Sequence, residues 1–303
     1  MEPSRLVLGC GNFGGIGSAP AFFGQGETEA EAFELMDAAW SLGIQTFDTA
    51  DAYGGGRSET WIGNWIARTG NRPRIVTKTF NPMEAGADRG LARARMTRQL
   101  ESSLDRLRVD SVDVYLAHAF DPETPPEELV GTFEALRELR LIKDWGVSNF
   151  GSAELRALYE HGKPSVVENN YNLLERDDEQ DVIPFCAELD ISYMPFGPLA
   201  GGLLAGRYER GKQAEPGSRL ATRPEGYEHL LTDKTFDALE RFASAADEYG
   251  VTSATLAMAW LLSQPAVTSI IVGARNEQQL GVALGALQVE LSPAEADMLA
   301  QLF

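Results

Sequence analysis

The chain has 303 residues, 44% of them hydrophobic, enough for one sizeable core and ordinary for a single α/β barrel. A formal net charge of −19 argues against nucleic acid and anionic membrane as partners, since both need basic surface. No apolar run is long enough to span a bilayer, and the start, Met1-Glu2-Pro3-Ser4, carries no signal-peptide pattern. The two cysteines, Cys10 and Cys186, give no disulfide framework, so a cytoplasmic location is expected.

In chain order, short apolar runs alternate with amphipathic segments. Strands are predicted at 6–8, 44–47, 74–77, 112–117, 142–147, 165–168, 191–196 and 269–272. Helices are predicted between and after them, at 29–42, 58–68, 90–107, 127–139, 153–161, 179–189, 234–249 and 277–284. Eight strand–helix alternations predict parallel strands closed into a (β/α)8 TIM barrel spanning 1–303 as one domain. Two additional C-terminal helices are expected, at 251–263 and 292–302. The second opens with Ser292-Pro293-Ala294-Glu295, an N-cap with Pro at N1 and Glu at N3. The longest irregular stretch, 205–232, is rich in Gly, Arg, Pro and Glu, and loops of that length are usually functional or mobile.

A barrel of this kind carries its active site where the strands end. The residues just past the strands form an ordered polar set: Asp48, Tyr53, Lys78, His118, Ser148, Asn149, Glu168, then Gly273 and Arg275. A single polar residue after a strand is usually a solvated loop start, but six strands contribute here. The set suits carbonyl reduction. Hydride addition leaves an alkoxide that must be protonated, and an ammonium makes a nearby phenol a better acid. Lys78 would supply that charge to Tyr53, Asp48 would hold Lys78 in an ion pair, and His118 would hydrogen-bond the substrate oxygen. Lysine is scarce, at positions 78, 143, 163, 212 and 234 only, which singles out Lys78 in its apolar setting.

Several segments resemble the aldo-keto reductase family: Phe47-Asp48-Thr49-Ala50-Asp51-Ala52-Tyr53-Gly54, Ile75-Val76-Thr77-Lys78, Tyr115-Leu116-Ala117-His118 and Gly146-Val147-Ser148-Asn149-Phe150. Pro198-Leu199-Ala200-Gly201-Gly202-Leu203-Leu204 and Ile271-Val272-Gly273-Ala274-Arg275 extend the match. The resemblance covers about residues 6–284 and implies a barrel that binds NADP in extended form, without a Rossmann domain. It implies the catalytic roles given above for Asp48, Tyr53, Lys78 and His118, and a small-molecule carbonyl substrate. It further implies that Ser148 and Asn149 hold the nicotinamide carboxamide and that Phe196 stacks on the ring. Pro198, Leu199, Gly201 and Gly273 fall in matching cofactor segments. Arg275 and Gln279 would approach the adenosine 2′-phosphate, and Arg207 and Arg219 the pyrophosphate. Four departures stand out. Glu168 occupies the place of a Gln that pairs with the carboxamide, and an ionised carboxylate can only accept hydrogen bonds. Val282 and Ala283 replace a Glu-Asn pair near the adenine. An N-terminal hairpin under the barrel and a long C-terminal loop are both expected to be missing.

Other signals read otherwise. Gly9-Cys10-Gly11-Asn12-Phe13-Gly14 fits G-x-G-x-x-G, but the following Gly-Ile-Gly-Ser-Ala-Pro cannot open a helix onto a pyrophosphate. Its glycines instead let the first loop pass close to the substrate. Three histidines without metal-ligand spacing predict no metal site. A lyase forming a Schiff base on Lys78 and a cofactor-binding regulatory subunit are the rival functions. The lyase needs a neutral lysine, which Asp48 opposes. Phe13, Phe22, Phe23 and Phe120 lie on rim loops, where they predict an open, partly aromatic substrate pocket.

Overall fold

The computed structural model describes residues 4–303. Met1, Glu2 and Pro3, on which the signal-peptide reading rested, lie outside the described residues. Eight parallel strands run in the order β7-β6-β5-β4-β3-β2-β1-β8. They are β1 (Leu6–Gly9), β2 (Thr46–Asp48), β3 (Arg74–Thr79), β4 (Val112–Ala117), β5 (Ile142–Ser148), β6 (Val166–Glu168), β7 (Ser192–Tyr193) and β8 (Ile270–Val272). The two ends of this order meet through a Tyr193–Val267 bridge and the bond from Ile271 N to Pro195 O, 2.9 Å. The result is the (β/α)8 architecture expected from the alternation.

Helices α1 (Glu29–Ser41), α2 (Arg57–Thr69), α3 (Arg93–Leu107), α4 (Pro126–Glu138), α5 (Ser152–Tyr159) and α6 (Val182–Glu188) follow the first six strands. The irregular stretch after β7 holds only the single turn α7 (Arg219–Thr222) and short 3₁₀ turns. It leads to α8 (Asp233–Glu248) and α9 (Ser253–Ser263), with α10 (Glu277–Ala286) and α11 (Pro293–Ala300) after β8. Helix α11 starts as its sequence predicts, with a reciprocal capping box between Ser292 and Glu295. An equivalent box, Thr28 with Glu31, opens α1. The segment predicted as one helix at 179–189 starts late, because a 3₁₀ turn at Asp177–Glu179 precedes α6. After Gly9-Cys10-Gly11-Asn12-Phe13-Gly14 the chain forms turns and reaches no α-helix before Glu29, so no helix N-terminus faces the glycines.

Two apolar layers hold the barrel together. Strand residues facing outward, such as Leu6, Leu8, Phe47, Ile75 and Tyr115, join the helices in the main core. Inward, Val7, Val76, Val114, Leu116, Val166, Met194 and Ile271 fill the barrel itself, with Phe196 packed on top. Side chains two apart along a strand share a face. The positions two beyond these inward residues therefore also point inward, at the C-terminal rim. They include Gly9, Lys78, His118, Glu168, Phe196 and Gly273. Below, Arg5 donates to the carbonyls of Leu262 (2.7 Å) and Val267 (3.0 Å), tying the start of β1 to the end of α9.

Candidate active site

The rim layer brings five of the sequence-predicted polar residues together. Lys78 Nζ, on β3, donates to Asp48 on β2 and to the Thr49 carbonyl at 3.1 Å. Glu168 Oε2, on β6, lies 3.1 Å from the same nitrogen. Lys78 also lies 5.6 Å from the centre of the Tyr53 ring. Tyr53 Oη and His118 Nε2 are 3.5 Å apart, with the rings edge to face.

The loop between Asp48 and Tyr53 is fixed onto β3. Thr49 N donates to Val76 O and Asp51 N to Lys78 O, both at 2.9 Å. The buried Asp51 carboxyl accepts from Thr79 (2.6 Å), whose hydroxyl also accepts from Arg95 (2.8 Å). Thr49 and Ser58 hydroxyls pair at 2.8 Å, and Ser58 reaches Cys10 O. Gly54 has φ +59°, and a Cβ there would stand 2.5 Å from Phe13 O, so only glycine fits beneath the first loop. A Cβ on Gly11 would make ordinary contact with the Tyr53 ring, at 3.5 Å, so the first loop runs over that ring. The supporting roles of Asp51, Thr79 and Arg95 were not read from the sequence. The only signal was polar residues sharing strand positions that otherwise pack.

Electrostatically, burial opposes the charge on Lys78, but the carboxyls of Asp48 and Glu168 outweigh it and hold the ammonium above the usual amine range. Burial raises Asp48, and Lys78 pulls back against it. Burial and the Asp48 charge push Glu168 well above the usual carboxyl range. Burial, with Lys78 adding to it, pushes His118 down to about 3. A neutral imidazole that accepts on Nδ1, 3.4 Å from Asn81 Nδ2, carries its proton on Nε2, facing Tyr53. For Tyr53 the expectation from Lys78 alone needs correction. Burial raises its phenol above the ordinary value, and the lowering by Lys78 does not overcome it.

The remaining predicted residues fall into separate groups. Ser148 pairs in register with Glu168, and Asn149 Nδ2 bonds Ser148 Oγ and the His118 carbonyl, the latter at 2.8 Å. Asn149 holds φ +58°, which turns its side chain back across the rim. Pro198, Leu199 and Gly201 lead into a tight turn after β7, and a Cβ on Gly201 would strike the Tyr227 ring. A Cβ on Gly273 would meet nothing, so the backbone at the end of β8 faces open space.

Arg275 Nε binds Glu27 at 2.9 Å and Nη1 binds Gly217 O at 3.2 Å, while Gln279 Oε1 accepts from Arg275 N. Arg219 binds Asn12 Oδ1 at 2.7 Å. Together these contacts fasten the first loop, the long loop and the end of β8 to one another. Arg207 is not part of this group; its nearest acid is Glu215, 4.0 Å away. Glu27 was not read from the sequence as a site residue. It is buried, and one of its oxygens has no partner.

Glu168 points into the barrel, against Lys78, and is buried. One expectation changes: Phe13 does not line a pocket; it is buried in the main core. Phe120 packs edge to face on Phe150 at 5.6 Å, beside a cavity of about 320 Å³ lined also by Pro125 and Leu158. Phe22 lies under the Arg223 guanidinium. The aromatic rings therefore mostly seat their own loops.

A family model described as the aldo/keto reductase family matches residues 5–303. The chain belongs to the aldo/keto reductase family. An uncharacterized oxidoreductase of Bacillus subtilis, YrpG, is 34% identical over 100% of this chain and 93% of its own length. Versiconal hemiacetal acetate reductase of Aspergillus parasiticus is 28% identical over 99% of this chain and 93% of its own. The solved glycerol dehydrogenase of Gluconobacter oxydans superposes with a TM-score of 0.85 at 25% identity, covering 99% of this chain and 91% of that one. This aldo/keto reductase is thus an oxidoreductase of a family that acts on small-molecule carbonyl compounds with nicotinamide cofactors. Among the described residues no helix is long and apolar enough to cross a membrane, and no acid, His or Cys cluster could hold a metal.

Proposed function

We propose that the protein reduces aldehydes or ketones to alcohols with NADPH, in the cytoplasm, with Tyr53 as the general acid. The observation that carries this reading is the contact of Tyr53, Lys78, Asp48 and His118 at the strand ends. A nicotinamide cofactor, when bound, would supply hydride chemistry at the carbonyl carbon. Tyr53 gives its phenolic proton to the carbonyl oxygen as negative charge develops there. Lys78 offsets the charge that Tyr53 acquires, and Asp48 keeps Lys78 protonated and in place. His118, neutral with its proton on Nε2, donates to the substrate oxygen and helps orient it.

The residues suit the cofactor. Ser148, Asn149 and Phe196, at the rim, would hold the nicotinamide, with Glu168 beside Lys78. Pro198, Leu199, Gly201 and the open backbone at Gly273 would line its path. Arg275, Gln279 and Arg219 would meet its phosphates, and Arg207 of the long loop, apart from that group, would have to reach the pyrophosphate on its own. Two free, buried cysteines fit a reducing compartment. The Schiff-base lyase reading loses support, because Lys78 between two carboxyls stays protonated.

The test is NADPH consumption followed optically with a nitrobenzaldehyde, the alcohol product being identified, beside NADH under the same conditions. Faster turnover with NADPH is expected. No carbonyl-dependent oxidation, or a preference for NADH, refutes the reading. Borohydride trapping of a substrate adduct on Lys78 would establish the lyase instead.

A further inference from the structure

Two carboxyls converge on one ammonium at the centre of the barrel rim. Asp48 takes a direct hydrogen bond from Lys78, while Glu168 Oε2 lies 3.1 Å from the same nitrogen and the Glu168 carboxyl lies against that of Asp48. Glu168 is wholly buried. Strand alternation traps it there. Val166 faces the barrel interior, so Glu168, two residues on, faces it too. Turning it outward would require β6 to slip by one residue, which would bring Val167 out of the main core. If both carboxyls were ionised, two negative charges would face one positive charge in a buried site. Such an uncompensated buried carboxylate takes up a proton instead.

We propose that Glu168 is held as a neutral carboxylic acid and acts as a positioning residue: protonated, it leaves the Lys78 charge to Asp48 and Tyr53, and losing its proton withdraws that charge from Tyr53.

The surroundings agree. The titratable groups around Glu168 are Asp48 of β2, Lys78 of β3, Tyr53 after β2 and His118 after β4, while Cys10 after β1 lies behind them in the outer core, near Asp48. His118 is neutral, and burial, then Asp48, keeps the Cys10 thiol protonated. Inward positions at the rim end of the other strands are not titratable: Ser148 on β5, Met194 and Phe196 on and after β7, Ile271 and Gly273 on and after β8; Asp144, inward on β5, lies four residues before Ser148, toward the opposite end of the barrel. The extra proton is shared across the Asp48–Lys78–Glu168 cluster and titrates as a property of the cluster. When it leaves, a second anion sits on Lys78, and Tyr53 becomes a weaker acid. A glutamine at this place could not ionise, so the Lys78 charge would be constant. Glu168 thereby gives the site a pH dependence of its own.

The first test needs no cofactor. Infrared difference spectra of the full chain and its Glu168→Gln variant, at neutral pH, should show a carboxylic-acid C=O band present only with Glu168. That band should vanish on alkaline titration. A neutral-pH spectrum with no Glu168-dependent acid band overturns the proposal, whatever the cofactor. Glu168→Met, which also lacks the carboxyl, makes the same comparison if glutamine is not accommodated, with melting curves to establish folding.

The second test rests on the proposed reduction. The fall of kcat with rising pH should move upward by about one unit in Glu168→Gln, with KM for the aldehyde little changed. Glu168→Asp, which restores an ionisable group, should bring the fall back toward the original pH. Superposable profiles overturn the positioning role. Absence of any carbonyl reduction refutes the proposed function, while the infrared result still decides the state of Glu168.

Discussion

Replacing Lys78 by methionine removes the cation that faces Asp48 and Glu168 while keeping most of its volume. Lys78 is buried, as is Asp48, and Met fills a similar space, so little apolar packing is lost. The cost is electrostatic. Without Lys78 the cheapest relaxation is protonation of Asp48. Lifting an aspartate from its reference value of about 3.9 to above about pH 7 takes roughly three units, or about 4 kcal/mol. That matches the roughly 3–5 kcal/mol expected when a buried ion pair loses one member. At about pH 5 the same protonation costs only about 1.5 kcal/mol. The sign follows from linkage. In the variant the folded-state carboxyl lies above its unfolded value, so the stability is present in acid and is lost as pH rises. Urea unfolding of both proteins at the two pH values, followed by fluorescence and circular dichroism, measures this. A loss near 4 kcal/mol at about pH 7 that shrinks in acid is expected. Adding Asp48→Asn should recover most of the neutral-pH loss. A loss below about 1 kcal/mol at about pH 7, or one that ignores pH, would show that the pair is not held as described.

Tyr53→Phe should leave NADPH binding, read by fluorescence titration, unchanged and lower kcat at least about a hundredfold; near-normal turnover removes Tyr53 from the mechanism. Arg275→Ala should weaken NADPH far more than NADH, and equal weakening removes Arg275 from the 2′-phosphate. Because Glu27 now occupies Arg275 Nε, Glu27→Gln should free the guanidinium and tighten NADPH without tightening NADH. A weaker NADPH complex in that variant would mean the contact matters more as a fastening of the loops. Ser292→Ala should cost about 1 kcal/mol in a thermal melt by removing the α11 cap.

The periodicities of strand and helix carried the barrel in the sequence, because they are local. Alternation of two in Ile75-Val76-Thr77-Lys78 and capping at Ser292 to Glu295 need no distant contact to be read. The same alternation already set Glu168 on the face of Val166. What it could not provide was the partner. Lys78 and Glu168 lie on strands three apart in the sheet order, and only closure of the barrel turns the two faces toward one point. The protonation of the site follows from that closure as well. The Tyr53 phenol was expected to be lowered by a nearby ammonium. Burial by the first loop decides instead, because removing water acts on the phenolate from all sides while Lys78 acts from one. Glu27 shows the same limit. Ahead of α1 it reads as one more surface acid, and only the fold brings Arg275, far along the chain, to its buried oxygen. The sequence by itself determined which residues face inward and in what order. The tertiary structure decided which charges meet and which proton stays, since these depend on distances and desolvation across the closed barrel.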